Sequence, residues 1–136
     1  MGKVLGIDYG ARRTGIAITD NMQIIASGLT TVATHNLYSF IADIVLKENI
    51  ECFVVGDPKN LDGSSTDITV HVEDFVKQLE RLYPTILVHQ IDERFTSKIA
   101  KQSILQSGIN RKGRQKKALI DKVSATIILQ DYLDYR

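Results

Sequence analysis

Three acidic positions stand where a carboxylate is costly unless something holds it. Asp8 closes the apolar run Val4-Leu5-Gly6-Ile7, and Asp121 has Ala118, Ala125 and Ile128 at the i−3, i+4 and i+7 places of a helical apolar stripe. Glu93, within Asp92-Glu93-Arg94, follows the apolar triplet Ile86-Leu87-Val88. A carboxylate on an apolar face must be paired or bound to a cation. Taken singly, each has a structural explanation. Asp8 can pair with Arg12 or Arg13 across the first turn, Glu93 can cap a helix, and Asp121 can form a buried ion pair. Taken together, three carboxylates at one end of a sheet would repel one another without a cation. Oxygen-only ligands suit Mg²⁺ or Mn²⁺ and argue against zinc. Two such ions would activate a water toward a phosphodiester and steady the leaving oxygen.

The elements that must position these groups follow from periodicity. Val4 to Ile7 reads as a buried strand and Thr14 to Thr19 as a second, with Gly10 and Gly15 bracketing the turn of a hairpin. Met22 to Thr30 supplies a third strand, entered through Asp20-Asn21. Leu37, Ile41, Ile44 and Val45 recur at helical spacing, which predicts a helix over about 36–48. Cys52 to Gly56 is a continuous apolar run, as expected of a central strand covered on both faces. Thr66 is the expected cap of a helix whose apolar face is Val72, Phe75, Val76 and Leu79. Ile86 to Val88 makes a fifth strand, and helices are expected at about 96–106 and 117–133. Three strands followed by alternating helix and strand describe a single α/β domain, 1–136, with a mixed sheet. In such a sheet, active groups belong at the carboxyl ends of the parallel strands.

Charge is segregated along the chain. From Arg94 to Lys122 there are nine cations and one acid, Asp121, a net +8 against +1 for the whole chain, which leaves −7 for the remainder. That asymmetry points to a polyanionic partner, with a solvated loop as the plain alternative. A single cysteine, Cys52, excludes an intrachain disulfide and a Cys-rich zinc module. Cys52 itself reads as a small core residue, and His35, His71 and His89 share no spacing and read as structural. No apolar run approaches the ~20 residues of a membrane span, and no signal pattern opens the chain, so no membrane association and a cytoplasmic location are expected.

With those residues in view, the chain resembles the YqgF family of Holliday junction resolvase-like proteins over essentially its whole length. Four segments carry the likeness: Gly6-Ile7-Asp8-Tyr9-Gly10 with Arg13, Gly15 and Ala17; Val55-Gly56 with Pro58 and Asn60 to Ser64; Asp92-Glu93-Arg94-Phe95-Thr96-Ser97; and Lys117 to Leu133 around Asp121, Ser124 and Ala125. The resemblance implies an RNase H-like fold, with a five-stranded mixed sheet of order 3-2-1-4-5 and strand 2 antiparallel. It implies a nuclease related to the RuvC resolvases, with Asp8, Glu93 and Asp121 as catalytic, metal-binding carboxylates for Mg²⁺ or Mn²⁺. It also implies a role in maturing the precursor of small-subunit ribosomal RNA. Asp57 and Ser124 depart from the family pattern, in which an apolar residue and Ala are usual, and Asp57 is expected to add negative charge close to the site.

Around the carboxylates, Arg12 and Arg13 in the first turn can contact phosphates, and Arg94 can hold substrate or fix Glu93. Arg111, Lys112, Arg114, Lys116 and Lys117, five of seven consecutive positions, form the expected nucleic-acid contact. The partner would be a ribosomal RNA precursor or branched DNA, bound by a monomer or weak homodimer. Two other classes compete. Gly6 to Gly10 also resembles the first phosphate loop of actin-like ATPases, and a non-catalytic binding regulator would keep the basic stretch without needing the carboxylates.

Overall fold

Alternation of large aliphatic and small residues sets the first hairpin. In the computed structural model, which describes residues 2–58, 67–92 and 113–135 (the last stretch with side chains from Leu119 onward), β1 spans Lys3–Asp8 and β2 spans Arg13–Thr19. The two are antiparallel, with Leu5 opposite Ile18 and Asp8 opposite Gly15. Strand β3, Ala26–Ala33, pairs antiparallel to β2. A 3₁₀ turn at Thr34–Asn36 leads into helix α1, Leu37–Lys47. Then follow β4 (Ile50–Asp57), α2 (Thr69–Leu82), β5 (Leu87–Asp92) and α3 (Gly113–Tyr135). Both β4 and β5 join in parallel, giving the order β3-β2-β1-β4-β5. This is the sheet expected from the sequence, strand 2 antiparallel included.

The sheet separates two cores of unequal size. One face carries Leu5, Ile7, Ile16, Phe53 and Val55 against Leu37, Ile41 and Ile44 of α1 and Val72, Phe75 and Leu79 of α2. Each such side chain contributes about 1.5–3 kcal/mol on full burial, so this layer holds the fold together. The other face is thinner: Val4, Ala17, Cys52 and Val54 meet Ala125, Ile128 and Leu129 of α3. Small residues there let α3 come close to the sheet. A Cβ on Gly6 would lie 2.8 Å from Leu129 Cβ and 3.2 Å from the Ala125 oxygen. One on Gly28 would meet Lys122 Cγ at 2.9 Å, and one on Gly15 would run into the main-chain oxygen of Asp121. Strand-interior glycines therefore fix the depth of the helix.

The structure departs from the sequence reading in two places. The third strand begins at Ala26 rather than Met22, because a turn consumes the apolar residues before it. Asp20 Oδ2 accepts from the Met22 amide (3.1 Å), and its Oδ1 accepts from the amides of Ile24 (2.9 Å) and Ile25 (3.0 Å). Gln23 adopts a left-handed φ of 56° and buries its side chain, donating to the Gly2 oxygen at 2.7 Å. Met22, Ile24 and Ile25 are left exposed at the tip. The second departure is the start of α2, where Ile68 occupies the N-cap position without a side-chain cap bond. Thr66, the cap expected from the sequence, lies outside the described residues, and the Thr69 hydroxyl, in the first turn of the helix, donates to the Pro58 oxygen at 2.9 Å. The helix expected over 96–106 lies outside the described residues, and the one expected at 117–133 extends over Gly113–Tyr135.

Candidate nuclease site

Strand parity decides which carboxylates share a face. Val4 belongs to the α3-side core, so Gly6 and Asp8, at the same parity on β1, face α3 as well. Gly15 lies opposite Asp8 in the ladder, and onto Gly15 the main chain of Asp121 is pressed. Asp8 and Asp121, 113 positions apart in the chain, therefore converge at the carboxyl end of β1. Glycine at 15 makes that convergence possible, since any side chain there would lift the helix away.

Arg13, at the start of β2 and of the same parity as Gly15, donates from Nε to Asp121 Oδ2 at 3.0 Å. The buried ion pair open to Asp121 at the sequence level is thus formed, and its cation is Arg13. Burial pushes the Asp121 carboxyl above its ordinary value of 3.8, while the Arg13 hydrogen bond and charge pull it down without cancelling the rise. Arg12, next to it, is exposed to solvent.

The turn bearing both arginines is clamped from the 3₁₀ turn that follows β3. The Thr34 amide donates to the Arg12 oxygen at 2.9 Å, and the Thr34 hydroxyl donates to the Gly10 oxygen at 2.7 Å. With that proton committed, Thr14 is the donor in its 2.9 Å bond to Thr34 Oγ1. On the reverse side Tyr9 packs on Phe75, ring centroids 5.0 Å apart. Sequence reasoning passed over Thr14, Thr34 and the docking role of Gly15. A glycine inside a strand pattern was the available signal for Gly15; the threonines gave none.

Asp57 and Asp92 are partners in the β4–β5 register, yet they belong to the other face. Asp57 has the parity of Phe53 and Val55, and Asp92 that of Val88, all on the α1/α2 side. The negative charge expected close to the site from Asp57 is therefore at the same sheet edge but on the opposite surface. Glu93, Arg94, Arg111 and Lys112 lie outside the described residues. Arg114, Lys116 and Lys117 fall in the first turns of α3. Among the described residues no group of three or more His, Cys, Asp or Glu is placed to hold a metal ion. The two described candidates, Asp8 and Asp121, are carboxylates, the hard oxygen type that would suit Mg²⁺ or Mn²⁺.

His35 and His71 are exposed, and His89 stacks on Tyr132 with centroids 5.3 Å apart. Cys52 is buried with its thiol 3.9 Å from the Tyr132 hydroxyl, so Tyr132 serves packing. No described helix is long and apolar enough to cross a membrane.

Comparison with known proteins shows what the chain is similar to. The family model for RuvX, Holliday junction resolvase, matches residues 2–135. A "Putative pre-16S rRNA nuclease" of Flavobacterium johnsoniae is 50% identical over 133 residues, covering 98% of this chain and 96% of the relative. A protein of the same name from Bacteroides thetaiotaomicron is 46% identical over 134 residues, covering 98% and 97%. Among solved structures, the fowlpox virus resolvase in complex with its Holliday junction DNA superposes with a TM-score of 0.61 at 11% identity, covering 97% of each chain. The Thermus thermophilus RuvC complex with a Holliday junction gives 0.59 at 12% identity, covering 99% and 98%. At such identities these two structures speak for the fold: a resolvase-type, RNase H-like sheet.

Proposed function

The chain belongs to the RuvX/YqgF family, and on that footing we propose that it is a divalent-metal-dependent nuclease acting in the cytoplasm on the 5′ end of the small-subunit ribosomal RNA precursor. The observation that carries the reading is the convergence of Asp8 and Asp121 on the α3 face at the carboxyl end of β1. The names of relatives about half identical over nearly the full chain support the RNA substrate.

Asp8 and Asp121, with Glu93 as the third carboxylate, hold Mg²⁺ or Mn²⁺. Glu93 directly follows β5 and has the chain parity of His89 and Ile91, of which Ile91 packs in the α3-side core and His89 stacks on Tyr132 of α3. Two such ions supply Lewis-acid stabilisation of the charge that develops in phosphodiester hydrolysis. The protein's own groups bind and orient the substrate. Arg12, exposed beside the site, offers its guanidinium fork to a phosphate, and Arg94 with the basic run from Arg111 to Lys117 neutralises the flanking backbone. The clamp of Thr34 on Gly10 and Arg12 holds the turn so that these contacts start from an ordered position.

A Holliday junction substrate is the second reading, favoured by the sheet shared with two resolvases solved with junction DNA. Purified protein offered both a 5′-extended precursor and a four-way junction in millimolar Mg²⁺ or Mn²⁺ decides between them. Cleavage of the precursor is expected, with most activity lost in folded Asp8→Asn, Glu93→Gln and Asp121→Asn. Cleavage of the junction alone would overturn the RNA assignment. Full activity in a folded carboxylate variant would remove that residue from the site, and undiminished cleavage in a chelator would defeat the metal mechanism.

A further inference from the structure

We propose that Arg13 occupies the cation position at Asp121 in the metal-free protein and yields it when a divalent ion enters. The inference rests on the nuclease reading above and makes Arg13 a positioning residue whose first partner is a carboxylate, not a phosphate.

The geometry supplies the argument. The bond runs from Arg13 Nε to Asp121 Oδ2, so it ties up an oxygen that an incoming ion would need. Asp121 cannot avoid this by a shift of its helix toward the sheet, because its main chain already rests on Gly15. Arg13 cannot be carried away by its strand, since β2 is laced between β1 and β3. Relief must come from the arginine side chain. Its 37% exposure leaves room to swing, while the 24% exposure of Asp121 keeps the pair from being fully screened by water. A divalent ion on Asp121 also repels the guanidinium, so loading and release of Arg13 are one event. The released guanidinium keeps its planar fork of donors and stands next to the exposed Arg12. Metal entry thereby hands a phosphate ligand to the substrate, which orders the two binding steps: the ion first, then nucleic acid.

Binding of Mn²⁺ to the full chain, read from the spectroscopic signal of the free ion, tests this without reference to turnover. Removing the competing charge in Arg13→Gln should tighten Mn²⁺ binding about tenfold, although cleavage by the loaded variant falls. Arg13→Lys, which keeps the charge, should stay nearer the wild type in affinity. A second measurement needs no variant. In the wild-type protein the Arg13 Nε–H resonance should shift, and its solvent exchange should accelerate, as Mg²⁺ is titrated in. Mn²⁺ binding that is lost in Asp121→Asn but equal or weaker in folded Arg13→Gln would sink the role of Arg13 alone, as would an Nε–H resonance unmoved at Mg²⁺ saturation. Absence of Mn²⁺ binding in every protein would take down the metal site and this inference with it.

Discussion

Replacing Gly15 by alanine tests the central geometric claim, that a backbone contact between β2 and α3 positions Asp121. The added Cβ would fall well inside the 3.0 Å that real Cβ contacts essentially never breach, and what it meets is main chain: the Asp121 oxygen, its carbon and the Lys122 nitrogen. A flexible side chain could step aside; a helix backbone cannot. Clearing the clash requires α3 to retreat by roughly 1 Å, and a misplacement of that size costs on the order of 100-fold in rate. Overpacking of this kind costs about 1–3 kcal/mol in stability, offset by about 0.5–1 kcal/mol because alanine suits a strand better than glycine. Gly28→Ala is the internal control. Its nearest neighbours are Lys122 Cγ at 2.9 Å and the Thr126 hydroxyl at 3.1 Å, both on side chains that can move. Single-turnover cleavage at saturating metal, with urea melts of the same preparations, compares the two. Gly15→Ala should be slow and Gly28→Ala close to wild type. A Gly15→Ala protein that cleaves at the wild-type rate would refute the idea that this contact sets the position of Asp121.

Three further outcomes are expected. Ser124 is 1% exposed, and its hydroxyl has no hydrogen-bond partner among the described residues, so Ser124→Ala should raise stability by about 1–2 kcal/mol in urea unfolding; a loss of stability would show that the hydroxyl is satisfied. Because burial raises the Asp121 pKa in the folded state, that state binds more protons than the unfolded one as pH climbs from 3.8 through the raised value. Metal-free protein should therefore lose stability over that window, and Asp121→Asn should flatten the trend; parallel pH profiles for the two proteins would contradict the assignment. Replacing Lys112, Arg114 and Lys116 by Gln should weaken nucleic-acid binding regardless of sequence and shrink the log–log salt slope by roughly two to three units on duplex DNA. An unchanged slope would reduce the basic run to a solvated loop.

Local periodicity was enough to foresee the strands and the two central helices, while the full order of the sheet came from the family resemblance. Val4 to Ile7, Cys52 to Gly56 and the helical spacing of Leu37, Ile41 and Ile44 each state their own structure, and right-handed crossovers leave one place for β4 and β5. The same patterns marked Asp8 and Asp121 as carboxylates in costly surroundings. Where the reading slipped, a side chain overrode the pattern: Met22, Ile24 and Ile25 look like strand residues, but Asp20 binds three backbone amides and draws them into a turn.

Tertiary structure alone decided who meets whom. Arg13 meets Asp121 across 108 positions of chain, and that meeting depends on how deep α3 sits over the glycines of β1, β2 and β3. Asp57 looked like a neighbour of the site until the pleat of β4 put it on the other surface, with Phe53 and Val55. Sequence spacing reports the period of one element, whereas a functional site depends on the register and packing depth between elements, and those are set by contacts between residues far apart in the chain.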